Sequence, residues 1–491
     1  MKEQTFVPET LTSTNTINRR QVLASSGLAL TGAVFGSALK AAQSENGGTG
    51  AESSDRNHFD VIIVGGGLAG LMAARELGRA GVDAVVLEAQ SRLGGRAYGR
   101  PFVGSSTLID LGGRHLQPQW ETQMRTAIKD YKLELVTELP PVHRHWIQGR
   151  LISEGVPDIN PADYGAFDEF YFKLMKAISR IDPTRPADRQ NVVDLDISFQ
   201  DFIEALKLPP QLRSLAESTS RVLGGAPLDQ AGALSGLWWY AQMDNHPSAW
   251  LTSKRFAKTT KDLVDAIHRD VRSEIRLGSP IARIDQDETH VEVTLTVGTK
   301  LSAKAAILCI PLNTWHDLEF GWELDDGKQQ AAQERHVGGA GMNGGGPTFI
   351  LARNIPPGLS TSSDTGVLAS ASDFSAAGAN ERILTANLRA SLHEPDVTER
   401  VQMDLQRLVP RAQVIGFDSH DWMHDRYAQG AWAVFRPGQM SRFSSVLGRR
   451  EGRVSFAGAD TSTSWFGNME GALETAVRAA REARAICSKT R

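Results

Sequence analysis

The chain has 491 residues, 41% hydrophobic and 22% charged, with a net charge of −4. This length exceeds one ordinary core and suits two interleaved domains. Acids and bases are mixed with no basic stripe, which sets nucleic-acid binding aside. The two cysteines, Cys309 and Cys487, lack neighbours at ligand spacing, so neither a disulfide framework nor a metal site is expected.

The first feature in chain order is a leader. Arg19-Arg20 precede a weakly apolar stretch from Val22 to Leu39, then Lys40 and a polar, Gly/Ser-rich linker. The stretch is too short and glycine-rich to span a membrane, which takes ~20 apolar residues. Twin arginines before such a run read as a Tat-type signal, although Asn18 and Val22 depart from its usual residues. A periplasmic or otherwise exported protein, soluble when mature, is the expectation.

Phe59 to Gly70 reads as a buried strand, a glycine turn and the start of a helix that ends at Gly81. A second apolar strand, DAVVLEA, completes a βαβ unit. From Trp120 to Trp250 the pattern is mostly helical, with Pro-rich breaks. From Ile275 to Ile310 it turns to strands. Residues 338–346 form a glycine-rich loop, and 347–430 mix short strands and helices. The chain closes with a strand from Arg453 to Ala457 and an Ala/Arg-rich helix from Gly471 to Ser488.

Gly65, Gly67 and Gly70 fit G-x-G-x-x-G between that strand and helix. The first allows a tight turn, the second lets the backbone approach a pyrophosphate, and the third lets helix pack on strand. Leu68 and Ala69 then offer helix N-terminal N–H groups to phosphate. Glu88, with Ala89 beside it, ends the second strand, placed to accept from ribose hydroxyls. This much points to a dinucleotide and leaves NAD and FAD open.

The residues that follow narrow the choice. Ser91-Arg92-Leu93-Gly94-Gly95-Arg96 comes directly after Glu88, and Asp110-Leu111-Gly112-Gly113 adds a second glycine pair. Phe456-Ala457-Gly458-Ala459-Asp460-Thr461 and Asn468-Met469-Glu470-Gly471-Ala472 lie near the C-terminus, and Pro280-Ile281 in the middle. From Phe59 to the C-terminus the chain resembles the flavin amine oxidase family, which includes monoamine, polyamine and L-amino-acid oxidases. Pro311 to Thr314, Gly430 to Ala433 and Gly438 to Arg442 are similar to its nicotine oxidoreductase and pseudooxynicotine amine oxidase branch.

The resemblance implies an α/β (α+β) fold. A Rossmann-type FAD-binding domain (56–119, 251–320, 431–491) would be interleaved with a mixed sheet-and-helix substrate domain (120–250, 321–430), after a leader and linker over 1–55. It implies FAD held at Gly95 and Arg96 (pyrophosphate), Gly112 and Gly113 (flavin ring), Ile281 (adenine), and Gly458, Asp460, Asn468 and Met469 (the flavin-facing helix start). Arg114 would reach a phosphate or a substrate carboxylate. No cysteine lies between Cys309 and Cys487, so the flavin is expected to be non-covalent.

The implied reaction is hydride transfer to flavin N5 from the carbon next to an amine nitrogen, followed by hydrolysis of the imine. Trp432 and Asn468 fall at the two positions of the family's amine cage, and His115 lies close by. An L-amino-acid oxidase of the same fold remains an alternative, with Arg114 as carboxylate clamp. Lys258-Thr259 replaces a usual glycine pair and Gln90 a usual arginine. Gly341 or Asn343 replaces a lysine associated with the oxygen reaction, which leaves either O2 or a cytochrome c-like protein as acceptor. The expected partners are thus a small amine and that acceptor, without nucleic acid or membrane; a homodimer is consistent with the family.

Overall fold

The structure, a computed structural model, describes residues 56–489 apart from 138, 140, 154–163, 211, 215, 218–225, 246–252, 339–347, 374, 376–379, 391 and 393. The leader over 1–55 and positions Gly341 and Asn343 lie outside the described residues.

The first sheet is built on the strand His58–Val64, parallel to Ala84–Leu87 on one side and Lys300–Leu308 on the other. Glu274–Arg276 extends it beyond Ala84–Leu87, and Val454–Phe456 pairs with the last residues of Lys300–Leu308. The start of Lys300–Leu308 instead pairs antiparallel with Val291–Leu295, which continues to Ile281–Gln286. The central strands are apolar on both faces because both are covered. Val61 and Ile63 pack with the helices Leu68–Arg79 and Met469–Lys489, while Ile62 and Val64 face a layer containing Trp238, Trp315 and Phe456.

The second sheet runs Gln413–Asp418, Thr348–Arg353, Glu381–Leu388, Leu368–Asp373, Leu359–Ser363, Val142–Ile147, Arg150–Ile152. Its last two strands correct the mostly helical reading of 120–250. VHRHWI alternates, and Gln148 and Gly149 turn the chain with φ of 50° and 74°, the left-handed pair that closes a tight hairpin. Period-two alternation separates the faces of this sheet. Ile350, Leu359, Ala371, Leu384 and Ala386 join the helix Val397–Leu408, while Phe349, Leu351 and Ile383 pack on Phe102, Ile109 and Leu111, next to the second glycine pair.

Candidate functional site

The first glycine motif is built as its spacing requires. Gly65 has φ +103°, and a Cβ there would lie 2.9 Å from the Cys309 carbonyl oxygen. A Cβ on Gly70 would sit 1.8 Å from the Gly65 carbonyl oxygen, so helix and turn touch through backbone alone. Gly67 differs: it bridges to Gly94, and a Cβ on it would meet nothing closer than 3.9 Å. The helix begins at Leu68 with no side-chain cap, leaving the N–H groups of Leu68 and Ala69 for a ligand.

Glu88 accepts from the N–H groups of Gly66 (2.6 Å) and Gln90 (2.7 Å), and burial pushes its carboxyl above the usual range despite those donors. Ala89 follows in the bend. Ser279 donates to the Glu88 carbonyl (2.8 Å) and Gly278 to that of Gln90, bringing the start of Ile281–Gln286 beside this end of the site.

Arg92 is the residue that motif reading named but did not assign. Its Nη1 donates to the Gly95 carbonyl (2.8 Å) and its guanidinium lies 3.9 Å from the centre of the Tyr98 ring. Its Nη2 is buried with no partner.

The two ends of the chain meet at Arg96. Its Nη2 donates to Asp460 Oδ1 (2.7 Å), and Asp460 Oδ2 accepts from the Leu312 N–H (2.9 Å). Burial, the largest single influence, raises the Asp460 carboxyl, but Arg96, His336 and the Leu312 N–H together outweigh it and hold the group below its ordinary range. A Cβ on Gly112 would lie 1.8 Å from the Arg96 carbonyl oxygen, and one on Gly113 3.0 Å from Met469 Cγ and Sδ.

The C-terminal helix, Met469–Lys489, fixes its surroundings through successive side chains. Glu470 accepts from Gln123 (2.8 Å) and Met124 (2.7 Å), capping the helix Thr122–Tyr131. Glu474 holds the Ser462 and Ser464 hydroxyls of the preceding loop. Thr475 accepts from Gly458 N–H (2.9 Å), and Arg478 donates to the Phe456 carbonyl (2.6 Å). Asn468 sits just ahead of this helix with Nδ2 buried and unpartnered.

Gly467 brings Asn468 next to the segment of Trp432: a Cβ on it would lie 3.0 Å from the Ala433 carbonyl oxygen. Trp432 packs near Trp422, whose Nε1 donates to the Leu111 carbonyl (2.7 Å) ahead of Gly112. Trp432 also borders a narrow cleft lined by Phe199, Ser235, Gly236 and Trp239.

Other expected residues have settled roles. His115 Nδ1 shares a 3.3 Å hydrogen bond with Ser253 Oγ. Arg114 lies near Asp110 and favours its ionised form, although burial pushes that carboxyl up to about 6. Thr259, the second residue in place of the glycine pair, packs on Gly99, and the next residue, Thr260, donates to Asp110 from both N–H and Oγ1. Lys328, the lysine preceding the lysine-free stretch, is fully buried. Its Nζ donates to the Arg449 carbonyl (2.6 Å) and Glu451 (2.5 Å), above the Phe456 ring.

His336 packs edge-on against Phe435 with both ring nitrogens buried and unpartnered, and burial lowers it to about 4. His145 is lowered to about 4 for the same reason. The unfolded chain takes these protons near 6.5 and the folded chain only near 4. Their stability contribution is full above pH 6.5 and is lost as pH falls toward 4. The melting temperature is expected to drop over that window. His336→Phe should flatten the drop without cost at pH 7, since no hydrogen bond is removed; an unchanged pH profile would contradict this origin.

These groups fit a dinucleotide cofactor. Gly67 leaves open a cradle that a side chain would fill, the Arg92 Nη2 is an unanswered donor, and Asn468 Nδ2 is an unanswered donor at a helix start. The class is therefore a dinucleotide-dependent redox protein whose site is closed by both chain ends. Residues 68–484 match the family described as flavin containing amine oxidoreductase. The chain is 31% identical to the (S)-6-hydroxynicotine oxidase of Paenarthrobacter nicotinovorans, over 85% of this chain and 97% of that one. It is 29% identical to the nicotine dehydrogenase of Pseudomonas putida, over 88% and 89%. A solved putrescine oxidase with putrescine bound shares the fold at a TM-score of 0.75 and 18% identity, covering 87% of this chain and 99% of that one.

The chain belongs to the flavin containing amine oxidoreductase family, and its cofactor is FAD. The cofactor is non-covalent. The two cysteines are buried in the first-sheet core. Among the described residues there is no cluster that could hold a metal ion.

Proposed function

We propose that this enzyme oxidises a nicotine-like secondary or N-heterocyclic amine. The observation that supports the reading is the close approach of Gly467 to Ala433, which brings the segments of Asn468 and Trp432 side by side. Bound FAD supplies the hydride acceptor. Trp432 offers a flat apolar face to the amine, and Asn468 Nδ2 a donor beside it. With FAD bound, the two would shield the substrate from water and position its C–H for transfer. Hydrolysis of the resulting imine in water gives the carbonyl product. The names of the relatives support the substrate class and include both an oxidase and a dehydrogenase.

Either O2 or a cytochrome c-like protein takes the electrons. Lys328 is committed to Glu451, and the stretch after it has no lysine, which favours the protein acceptor. Export through the twin-arginine leader would place the folded holoenzyme beside such an acceptor.

Anaerobic mixing of the holoenzyme with a panel of amines tests the reading. Nicotine-like amines are expected to bleach the flavin. Trp432→Ala should retain FAD and lower kcat/KM by about 100-fold, ~2.7 kcal/mol. A flavin that no amine bleaches would overturn the proposal. Re-oxidation by O2 as fast as by cytochrome c would overturn the preference for a protein acceptor.

A further inference from the structure

One face of the second sheet is polar although it is buried. Its opposite face is the apolar one that packs on Val397–Leu408. The register lines up Phe349, Thr385, Ser372, Ser360 and His143 across successive strands; Asn387, Ser370, Ser362 and His145 lie one rung further. Thr385 is 6% exposed and Asn387 2%.

Three atoms of this stripe lack partners: His143 Nδ1 at its outer end, and two further in. Thr385 Oγ1 is buried with none. Asn387 Nδ2 donates to Ser370 Oγ (2.6 Å), which orients the amide so that its buried Oδ1 is left without a donor. A buried group left so costs about 1–3 kcal/mol. Two such groups two residues apart on one face point to a ligand that answers both.

The stripe begins at the site. Phe349, on the first rung, packs with Leu111, directly before Gly112-Gly113. Ala369, beside Ser370, packs on Trp422 in the cluster that includes Trp432. The far end of the second rung is closed by a 2.7 Å hydrogen bond between His145 Nδ1 and Ser362 Oγ.

We propose that Thr385 and Asn387 form the recognition site for a neutral oxygen substituent on the amine substrate, so that a hydroxylated amine is preferred over its deoxygenated counterpart. A ligand hydroxyl seated between them donates to Asn387 Oδ1 and accepts from the Thr385 hydroxyl. The first rung continues from Phe349 to Asp418, whose two oxygens are both taken by Arg100 at 2.7 Å; the rungs carry no other acid and no permanent cation, and the two histidines at their outer ends are neutral at pH 7, so the stripe suits a neutral group rather than a carboxylate or an ammonium. A site that hydrogen-bonds a hydroxyl discriminates strongly against the analogue lacking it. This rests on the nicotine-like reading above and names the substituent.

The test compares (S)-6-hydroxynicotine with (S)-nicotine on the holoenzyme, by kcat/KM. Wild type should favour the hydroxylated amine. Thr385→Val and Asn387→Leu should each lower kcat/KM for it by about 10–100-fold, with nicotine changed less than about threefold. Thr385→Ser, which keeps the hydroxyl, should keep the preference. Thr385→Val should melt no lower than wild type, because its hydroxyl has no partner to lose; this separates a binding effect from misfolding. Equal losses on both amines, or none on either, would overturn this inference alone. If neither amine bleaches the wild-type flavin, the nicotine-like reading falls and takes this inference with it.

Discussion

Gly67→Val is expected to give a folded protein that purifies without FAD. Gly67 has φ −72°, which valine tolerates, and its nearest neighbours are 3.9 Å from where the Cβ would be. A Cβ at this position displaces nothing in the protein. The side chain instead fills the space between the first glycine turn and Gly94-Gly95, where a pyrophosphate must approach the backbone. The cost to folding is that of a poor helix N-cap, ~1 kcal/mol or less. The cost to the cofactor is steric and has no route of relief. Affinity for FAD should fall by at least about 100-fold, ~2.7 kcal/mol.

Gly70→Val is the informative contrast. Its Cβ would meet the Gly65 carbonyl oxygen at 1.8 Å, so strand and helix must separate and the protein should not fold. Flavin absorbance per protein and the melting temperature, measured on both variants, separate the two cases. Gly67→Val protein that retains stoichiometric FAD would show that the cradle is not where the cofactor binds.

The difference between these two glycines also marks what could be read from sequence. The strand–turn–helix is local: FDVIIV, three glycines and LAGLMAARELG fix one another within a few residues, and the element bounds follow. The hairpin at 142–152 was hidden because its partner strand, Leu359–Ser363, is far along the chain. The buried polar stripe was hidden for a related reason. LSTSS and LASASD are Ser-rich and carry loop-like composition, and only pairing aligns alternate residues with Thr385 and Asn387. Arg92 stands inside a quoted motif, but its open Nη2 is a property of packing. Thr260 answering Asp110 shows the converse: Lys258-Thr259 looks like a loss in the sequence, whereas in space the next residue supplies two donors.

Arg96 was expected to serve the pyrophosphate, and its bond to Asp460, 364 residues away, gives it a second task. That pair ties the first glycine motif to the C-terminal one. Asp460→Ala is therefore expected to destabilise the holoenzyme by about 3–5 kcal/mol, as breaking a buried pair does. It strands the Arg96 guanidinium, whose side chain is 20% exposed, and removes the acceptor of the Leu312 N–H. Asp460→Asn keeps an acceptor and should lose roughly half as much.

The reciprocal change, Arg96→Gln, has a signature in pH. In wild type Asp460 is held below its ordinary range, so its contribution is present above about pH 4 and is lost only on further acidification. Without Arg96, burial becomes the dominant influence and the carboxyl rises. The folded state then holds a proton that the unfolded chain gives up, and stability falls as pH rises through the raised value. Arg96→Gln should accordingly lose more stability, relative to wild type, at pH 8 than at pH 5. Chemical denaturation of the holoenzyme at the two pH values reads this directly. A pH-independent difference, or an Asp460→Ala cost below about 1 kcal/mol, would mean that the two ends of the chain are joined by packing and by the cofactor rather than by this pair.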